Sequence, residues 1–178
     1  MIAAAGGQAF VFGHSSGAAL TLETAAAGAG VLGLLIHEPP YVPGPGTSRE
    51  SADEFATMVA AGRRDEVADQ FLRNTGMPEE IVEQAKAGPG WPAMVGLAHT
   101  LPYDVRMCNV GVVPVERLTR ISCPVLATAG SLSPSWALEV AQSVANAVSD
   151  GEWRVLDGQA HNVAPDVLAS LMRERFRV

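Results

Sequence analysis

The feature that most constrains the fold is a continuous apolar run at residues 31–37, with the sequence VLGLLIH. A strand with one face in water alternates apolar and polar residues, whereas a strand covered on both faces is apolar at nearly every position. Further short runs of this kind lie at 8–12, 124–130 and 152–156, and longer segments separate them. The pattern predicts an α/β fold with a mostly parallel sheet of about four strands flanked by helices.

The segments between these runs have helical periodicity. Three predicted helices lie at 16–27, 134–148 and 164–176. A longer stretch, 48–105, contains no strand pattern and predicts a helical insertion of three or four short helices, after a stiff loop at 43–46. Ser48 and Pro78 mark predicted helix starts, and breaks are expected near Gly62, Gly76 and 88–90. The predicted domains are therefore a core of residues 1–47 and 106–178 and an insertion of residues 48–105.

Composition narrows the class of protein. Of the 178 residues, 48% are hydrophobic and 17% are charged, so the chain can bury a full core. A formal net charge of -7 argues against nucleic acid or an anionic membrane as a partner, because both require a positive surface. Cys108 and Cys123 form neither a disulfide framework nor a metal-ligand pattern. With no basic signal start and no apolar run long enough to span a bilayer, we expect a cytoplasmic protein.

The motif Gly13-His14-Ser15-Ser16-Gly17 has the pattern G-x-S-x-G. It lies where the first apolar run turns directly into a helix of small residues, which is the setting of a nucleophile elbow. Side chains flanking the serine are expected to collide with the strand or the helix, so glycine is expected on both sides. The hydroxyl is then exposed at a helix N-terminus, where backbone N–H groups stabilise an oxyanion. The competing interpretation is a Gly-Ser N-cap on an ordinary helix.

A serine nucleophile needs a base within hydrogen-bond reach, and His161 is the candidate. It lies in a loop between the last strand and the last helix, so we expect it at the same edge of the sheet as Ser15. The other histidines fit this role less well. His14 is expected to point away from the serine hydroxyl, His37 ends a strand next to the elbow, and His99 belongs to the helical insertion.

Together these features resemble the α/β-hydrolase superfamily, in particular its capped, serine esterase-like members of actinobacterial type. The matching motifs, in the family's order, are Gly13-His14-Ser15-Ser16-Gly17, Glu38-Pro39-Pro40, Cys123-Pro124-Val125-Leu126, Gly130-Ser131-Leu132-Ser133-Pro134, and Gly158 with His161. They run across nearly the whole chain. The resemblance implies Ser15 as nucleophile, His161 as base, residues 48–105 as a cap over the pocket, and no metal or organic cofactor.

The acid of the triad departs from the family's usual pattern. That acid normally follows the seventh strand as G-x-x-D, and this position is Ser133, which carries no charge. Some members place the acid at the end of the sixth strand, where this chain has Glu38, so Glu38 is the candidate that orients His161. Asp157, four residues before His161, is the alternative acid, and Ser133 is a candidate for a neutral hydrogen bond to the imidazole.

The resemblance identifies the first strand of this chain as the family's fifth. Strands one to four, and the loop that usually supplies a second oxyanion donor, then have no counterpart, which leaves the backbone N–H of Ser16 as the donor. The first strand would form an apolar sheet edge. The expectation is a fragment or start-truncated form of a longer hydrolase, or a chain whose sheet edge a second copy completes.

We therefore predict a cofactor-free serine hydrolase that cleaves an ester or a related carbonyl substrate through a Ser-His-acid triad and an acyl-enzyme. The alternative is a catalytically inactive homologue that acts as a binding module. Apolar side chains of the insertion predict a small-molecule substrate with an apolar moiety, and ordinary helix packing is their competing role. These side chains are Phe55, Met58, Phe71, Leu72, Trp91, Met94 and Leu97.

Overall fold

The computed structural model describes residues 1–42, 44 and 46–177 of the chain. Among these residues, four parallel strands form one sheet in the order β1-β2-β3-β4. They are β1 (Ala9–His14), β2 (Val31–His37), β3 (Val125–Gly130) and β4 (Gly151–Leu156). This sheet, flanked by helices, confirms the predicted fold class. Pro43 and Pro45 of the predicted stiff loop lie outside the described residues.

The α-helices of the described residues are, in chain order, α1 (Ser16–Ala26), α2 (Arg49–Ala60), α3 (Arg64–Asn74), α4 (Glu79–Ala87), α5 (Trp91–Leu97), α6 (Leu101–Met107), α7 (Val115–Leu118), α8 (Ser135–Ala147) and α9 (Pro165–Phe176). Short 3-10 segments lie at Ile2–Ala5, Ala98–Thr100 and Asn109–Gly111. None of the helices in the described part of the chain combines the length and the apolar composition that a bilayer span requires.

The chain divides into two compact units. The first comprises Met1–Tyr41 and Val113–Val178 and contains the sheet with α1, α7, α8 and α9. The second comprises Val42–Val112 and contains α2 to α6. The predicted insertion, 48–105, falls inside the second unit, and its role as a cap stays a prediction.

The sheet of the first unit has helices on both faces. On one face, Phe176 of α9 stacks on Phe10 with ring centroids 5.0 Å apart. Successive strand residues point to opposite faces, so Gly13 points away from α9, and there it faces Ala18 and Thr21 of α1. The same α9 face buries one leucine from each of three strands: Leu35, Leu126 and Leu156. This double covering explains why the β2 and β3 runs are apolar without alternation.

The second unit has a hydrophobic core of its own. α2 begins after Ser48, whose hydroxyl oxygen accepts the N–H of Ser51 at 3.1 Å. The predicted breaks at Gly62, Gly76 and 88–90 all fall between helices. The buried core residues are Ala52, Phe55, Met58, Val67, Ala68, Ala98, Leu101 and Val105.

The helical content of the second unit exceeds the prediction of three or four helices, because α6 follows α5 after one 3-10 turn. Several apolar residues of the insertion take the competing role named for them, which is packing within this unit. Phe55 and Met58 belong to its buried core, and Phe71, Trp91 and Met94 pack against that core. Internal packing therefore accounts for their apolar character.

Candidate active site

β1 passes into α1 through a sharp turn at Ser15. This residue has φ 54° and ψ -128°, a conformation that non-glycine residues rarely adopt. Its N–H donates to the carbonyl oxygen of His37 on the neighbouring strand at 3.0 Å. A Cβ at Gly13 would collide with Thr21 Oγ1 and lie 2.7 Å from Ala18 Cα. The local geometry is therefore a strained strand-turn-helix elbow that requires glycine two residues before the serine.

The second glycine of the motif does not have the same steric role. The sequence predicts collisions on both sides of the serine, but a Cβ at Gly17 would meet no described atom within 4 Å. That part of the prediction is wrong, because Gly17 lies in the first turn of α1 and a Cβ there would meet no described atom outside the backbone of that helix. In this turn the Ala18 N–H donates to the carbonyl oxygen of Ser15 at 2.9 Å. The N–H groups of Ser16 and Gly17 come before the first intrahelical acceptor, so they are available to an anion beside Ser15.

The loop between β4 and α9, residues 157–164, is called the histidine loop below. It carries His161, whose Nδ1 lies 2.8 Å from Glu38 Oε2. The side chain of His161 is 49% exposed and that of Glu38 is 2% exposed, so an accessible imidazole is joined to a buried carboxylate. Glu38 follows β2 directly and has φ 47°, a second unusual backbone conformation at this sheet edge. Asp157, the alternative acid, is exposed and makes no hydrogen bond or ion pair with any described residue.

The surroundings of the Glu38 carboxylate favour its ionised form. Oε1 accepts the N–H of Gly130 at 2.9 Å and lies 3.4 Å from His37 Nε2. The buried Ser133 hydroxyl lies beside the carboxylate, but it makes no hydrogen bond of full geometry with any described residue, His161 included. Burial alone would raise the pKa of Glu38. The contributions of His161, Ser133, Gly130 and His37 together outweigh burial and lower that pKa to about 2.

The low pKa of Glu38 predicts a pH-dependent contribution to stability. The folded-state pKa, about 2, lies below the ordinary value of 4.5, so the unfolded chain takes up the proton first as the pH falls. The carboxylate therefore stabilises the fold fully above its ordinary pKa and loses this effect as the pH falls through the folded value. The total is roughly 3 kcal/mol.

Urea unfolding of wild type and Glu38→Gln across this pH window measures the effect. We expect the difference between their free energies of unfolding to shrink as the pH falls, because protonated Glu38 is as neutral as glutamine. Asp157→Asn is the matched control, since that exposed carboxylate has no partner among the described residues. A difference that stays constant with pH would contradict the low pKa.

The histidine loop lies against the end of β3 because Gly130 has no side chain. A Cβ at Gly130 would collide with the carbonyl oxygen of Gln159 and lie 2.8 Å from Ala160 Cα. The Gln159 carbonyl accepts the N–H of Leu132 at 2.9 Å, and the Gln159 side-chain oxygen accepts the N–H of Ala164 at 2.9 Å. The loop is thus tied to β3 and to the start of α9. A glycine at the end of a strand was the available sequence signal for this approach.

Two further histidines lie at this sheet edge. His14 Nε2 donates to the carbonyl oxygen of His161 at 2.8 Å, and the two rings lie 4.4 Å apart. Because His14 precedes Ser15, this contact joins the elbow to the histidine loop, a role that sequence reasoning missed. His37 is fully buried and also contacts the loop. His99 lies in the second unit.

The structure therefore brings Glu38 and His161 into direct contact. The backbone of Ser15 adjoins His37, the residue before Glu38. Within the described residues the Ser15 hydroxyl makes no hydrogen bond. The hydrogen bond between a nucleophile and its base is often long in an active site without substrate. No group of three or more His, Cys, Asp or Glu side chains in the described part of the chain is arranged to hold a metal ion.

Comparison with solved structures gives relatives along nearly the whole chain. It is similar to an alpha/beta hydrolase from Sphaerobacter thermophilus DSM 20745, with 38% identity and a TM-score of 0.86 over 98% of this chain and 70% of that one. MenH from S. aureus is similar at 17% identity and a TM-score of 0.58, over 96% and 68% of the two chains. The 2-hydroxy-6-oxo-6-phenylhexa-2,4-dienoate hydrolase from Rhodococcus sp. strain RHA1 has 19% identity and a TM-score of 0.51, over 97% and 65%. No protein-family model and no curated protein matches the chain.

Proposed function

Because the chain belongs to the α/β-hydrolase family, we propose that it is a serine hydrolase that cleaves an ester or a related carbonyl substrate. In this proposal Ser15 is the nucleophile, His161 the base and Glu38 the acid, and the backbone N–H of Ser16 binds the oxyanion. The observation that carries the proposal is the 2.8 Å contact between His161 and the buried Glu38 carboxylate at the sheet edge that holds the strained Ser15.

The proposed reaction has two halves. Ser15 Oγ attacks the substrate carbonyl while His161 Nε2 takes the hydroxyl proton, and the negative charge on the carbonyl oxygen is stabilised at the N-terminus of α1. Collapse of this intermediate breaks the ester bond, and His161 returns the proton to the leaving alcohol. A water molecule then attacks the acyl-enzyme with the same base, which releases the acid and restores Ser15.

Glu38 supports this chemistry by selecting one tautomer of His161. An ionised carboxylate only accepts hydrogen bonds, so the 2.8 Å contact requires a proton on His161 Nδ1. In the neutral ring, Nε2 is then left with its lone pair and can take the proton of Ser15. When Nε2 is protonated in the reaction, the carboxylate stabilises the imidazolium. The low pKa of Glu38 keeps the acceptor charged at neutral pH.

The substrate class follows from the nucleophile. A serine oxygen attacks carbonyl carbon, so esters are the primary class, with lactones and activated C–C bonds as related ones. An apolar acyl or alcohol moiety, and residues 48–105 as a cap over it, belong to the same proposal. Esters of increasing acyl length test this part without knowledge of the natural substrate.

A fluorophosphonate probe tests the proposal, because it reacts covalently with an activated serine and needs no specific substrate. We expect one label per folded chain, located by mass spectrometry on Ser15, and no label on heat-denatured protein. Competition by p-nitrophenyl butyrate should slow the labelling. Absence of labelling, or labelling at another serine, would contradict the proposal.

The second candidate function is a binding module without catalysis. It is favoured by the position of β1, which pairs only with β2 among the described residues and leaves Phe12 partly exposed at that edge. Completion of this sheet edge by a second copy of the chain stays a prediction. An unlabelled but folded protein would favour the binding module over the hydrolase.

A further inference from the structure

His37 is a completely buried imidazole to which the proposed reaction gives no direct step. Its Nε2 lies 3.4 Å from Glu38 Oε1, so it faces the orienting carboxylate as well as the histidine loop. It ends β2 and has no solvent-exposed surface, so protein groups must satisfy both ring nitrogens. Nε2 lies 3.0 Å from the carbonyl oxygen of Ala160, and Nδ1 lies 3.0 Å from Thr128 Oγ1. Ala160 is separated from His37 by 123 residues and immediately precedes His161.

The directions of these hydrogen bonds follow from the partners. A carbonyl oxygen only accepts, so Nε2 must carry a proton and donate it to Ala160. The Thr128 hydroxyl lies 3.0 Å from Nδ1 and 2.9 Å from the carbonyl oxygen of Ile36, and its single proton serves one of them at a time. In the neutral ring Thr128 donates to Nδ1, and burial lowers the pKa of His37, which favours this form. In the charged ring the Nδ1 bond reverses, and the Ala160 bond is unchanged.

We propose that His37 is a positioning residue that fixes the backbone of the histidine loop by donating its Nε2–H to the Ala160 carbonyl. This inference rests on the proposed function, because it gives His37 a purpose through His161. His14 binds the next carbonyl along the chain, that of His161 itself, at 2.8 Å. Two imidazoles from the neighbouring strands β1 and β2 therefore hold consecutive carbonyls of one loop.

The half-exposed state of His161 explains the need for this restraint. Its side chain is 49% exposed, so packing restrains the ring weakly and hydrogen bonds must hold it. Glu38 fixes only Nδ1, and the ring can still pivot about that bond if the backbone moves. A catalytic base must stay within about 0.5 Å of its productive position. Fixing the backbone on both sides of the His161 Cα supplies the second constraint.

Paired amide variants separate this role from a merely structural one. The amide nitrogen of glutamine reaches about as far as imidazole Nε2, so His37→Gln keeps a donor for Ala160. The amide of asparagine reaches only as far as Nδ1, so His37→Asn keeps the Thr128 side and loses Ala160. Both variants bury one amide, and they differ in which hydrogen bond survives.

The kinetic test measures p-nitrophenyl butyrate hydrolysis, after circular dichroism has shown that each variant is folded. For His37→Asn we expect kcat to fall about 100-fold with KM little changed, because a shift of about 1 Å in a catalytic group has that effect. For His37→Gln we expect most of kcat to return. Ser143→Ala, a substitution of an exposed serine on α8 that bonds only its own helix, is the control and should behave as wild type. Equal kcat values for His37→Asn and His37→Gln would overturn the proposal.

NMR of wild type labelled with ¹⁵N-histidine and with alanine carrying ¹³C at the carbonyl carbon gives a readout that needs neither turnover nor a variant. The proposal requires a proton on His37 Nε2 and a scalar coupling across the bond to the Ala160 carbonyl carbon. A His37 ring without that proton would overturn the proposal, whether or not His37→Asn folds. A wild type that shows the coupling but is not labelled by fluorophosphonate would contradict the hydrolase function alone, so the two failures are distinguishable.

Discussion

Replacing Ser15 by alanine is expected to lower kcat for p-nitrophenyl butyrate hydrolysis by about a million-fold, the largest effect of any single substitution in this chain. The covalent route disappears with the hydroxyl, and what remains is binding and the oxyanion donors at the start of α1. KM should change little, because the hydroxyl adds little to binding of the ground state. Initial rates at high protein concentration measure the loss, and fluorophosphonate labelling should vanish with it.

Alanine is a suitable replacement because it leaves the strained backbone conformation at the elbow unchanged. Serine and alanine are equally disfavoured at φ 54°, so the strain is retained and the melting temperature should stay close to that of wild type. Ser143→Ala is the matched control, since this exposed serine on α8 bonds only its own helix. A folded Ser15→Ala protein that keeps more than about one hundredth of the wild-type kcat would remove Ser15 from the proposed role.

The sheet could be predicted from the sequence because covering on both faces leaves a strong pattern. Residues 31–37 and 124–130 are apolar without alternation, and they became the central strands β2 and β3. The helices of the second unit were harder to count. Their breaks at glycine were visible, whereas the 3-10 turn that joins α5 to α6 contains no glycine or proline and packs against α2 and α3.

The positions of the candidate site residues in the fold could be predicted because these residues follow the ends of strands. Parallel strands end at one edge, so the sequence positions of Ser15, Glu38 and His161 already placed all three there. The direction of a side chain is a different problem. His14 and His37 contact carbonyls of the histidine loop, which is more than 120 residues away in sequence, and no local pattern encodes such a pairing.

Substituting glutamine for Glu38 is expected to lower kcat about 10⁴-fold, because the change reverses the hydrogen bonding of His161. The wild-type carboxylate accepts from Gly130 N–H at Oε1 and from His161 Nδ1 at Oε2. Glutamine has one oxygen for these two donors. If the glutamine oxygen accepts the Gly130 N–H, the amide N–H₂ group faces His161 Nδ1. This arrangement selects the tautomer of His161 that carries its proton on Nε2, and a protonated Nε2 cannot accept the proton of Ser15.

The opposite orientation of the amide does not restore the site. If the glutamine oxygen instead accepts from His161 Nδ1, the amide N–H₂ group faces the N–H of Gly130. Two hydrogen-bond donors then meet in a buried position. The imidazolium that forms during the reaction also loses its charged partner in either orientation. Steady-state kinetics of Glu38→Gln should therefore show a loss in kcat with KM little changed, and NMR should show the His161 ring nitrogens with the proton moved to Nε2.

Asp157→Asn is the control that decides between the two acids proposed from the sequence. Asp157 lies only four residues before His161, but it is exposed and makes no contact with His161 in the described chain, so its substitution should leave kcat within about two-fold of wild type. Equal activity of Glu38→Gln and wild type would reject Glu38 as the orienting acid. Loss of activity in Asp157→Asn would instead require the histidine loop to rearrange during the reaction. Nδ1 of His161 can donate to only one of the two carboxylates at a time, and in this structure it contacts Glu38.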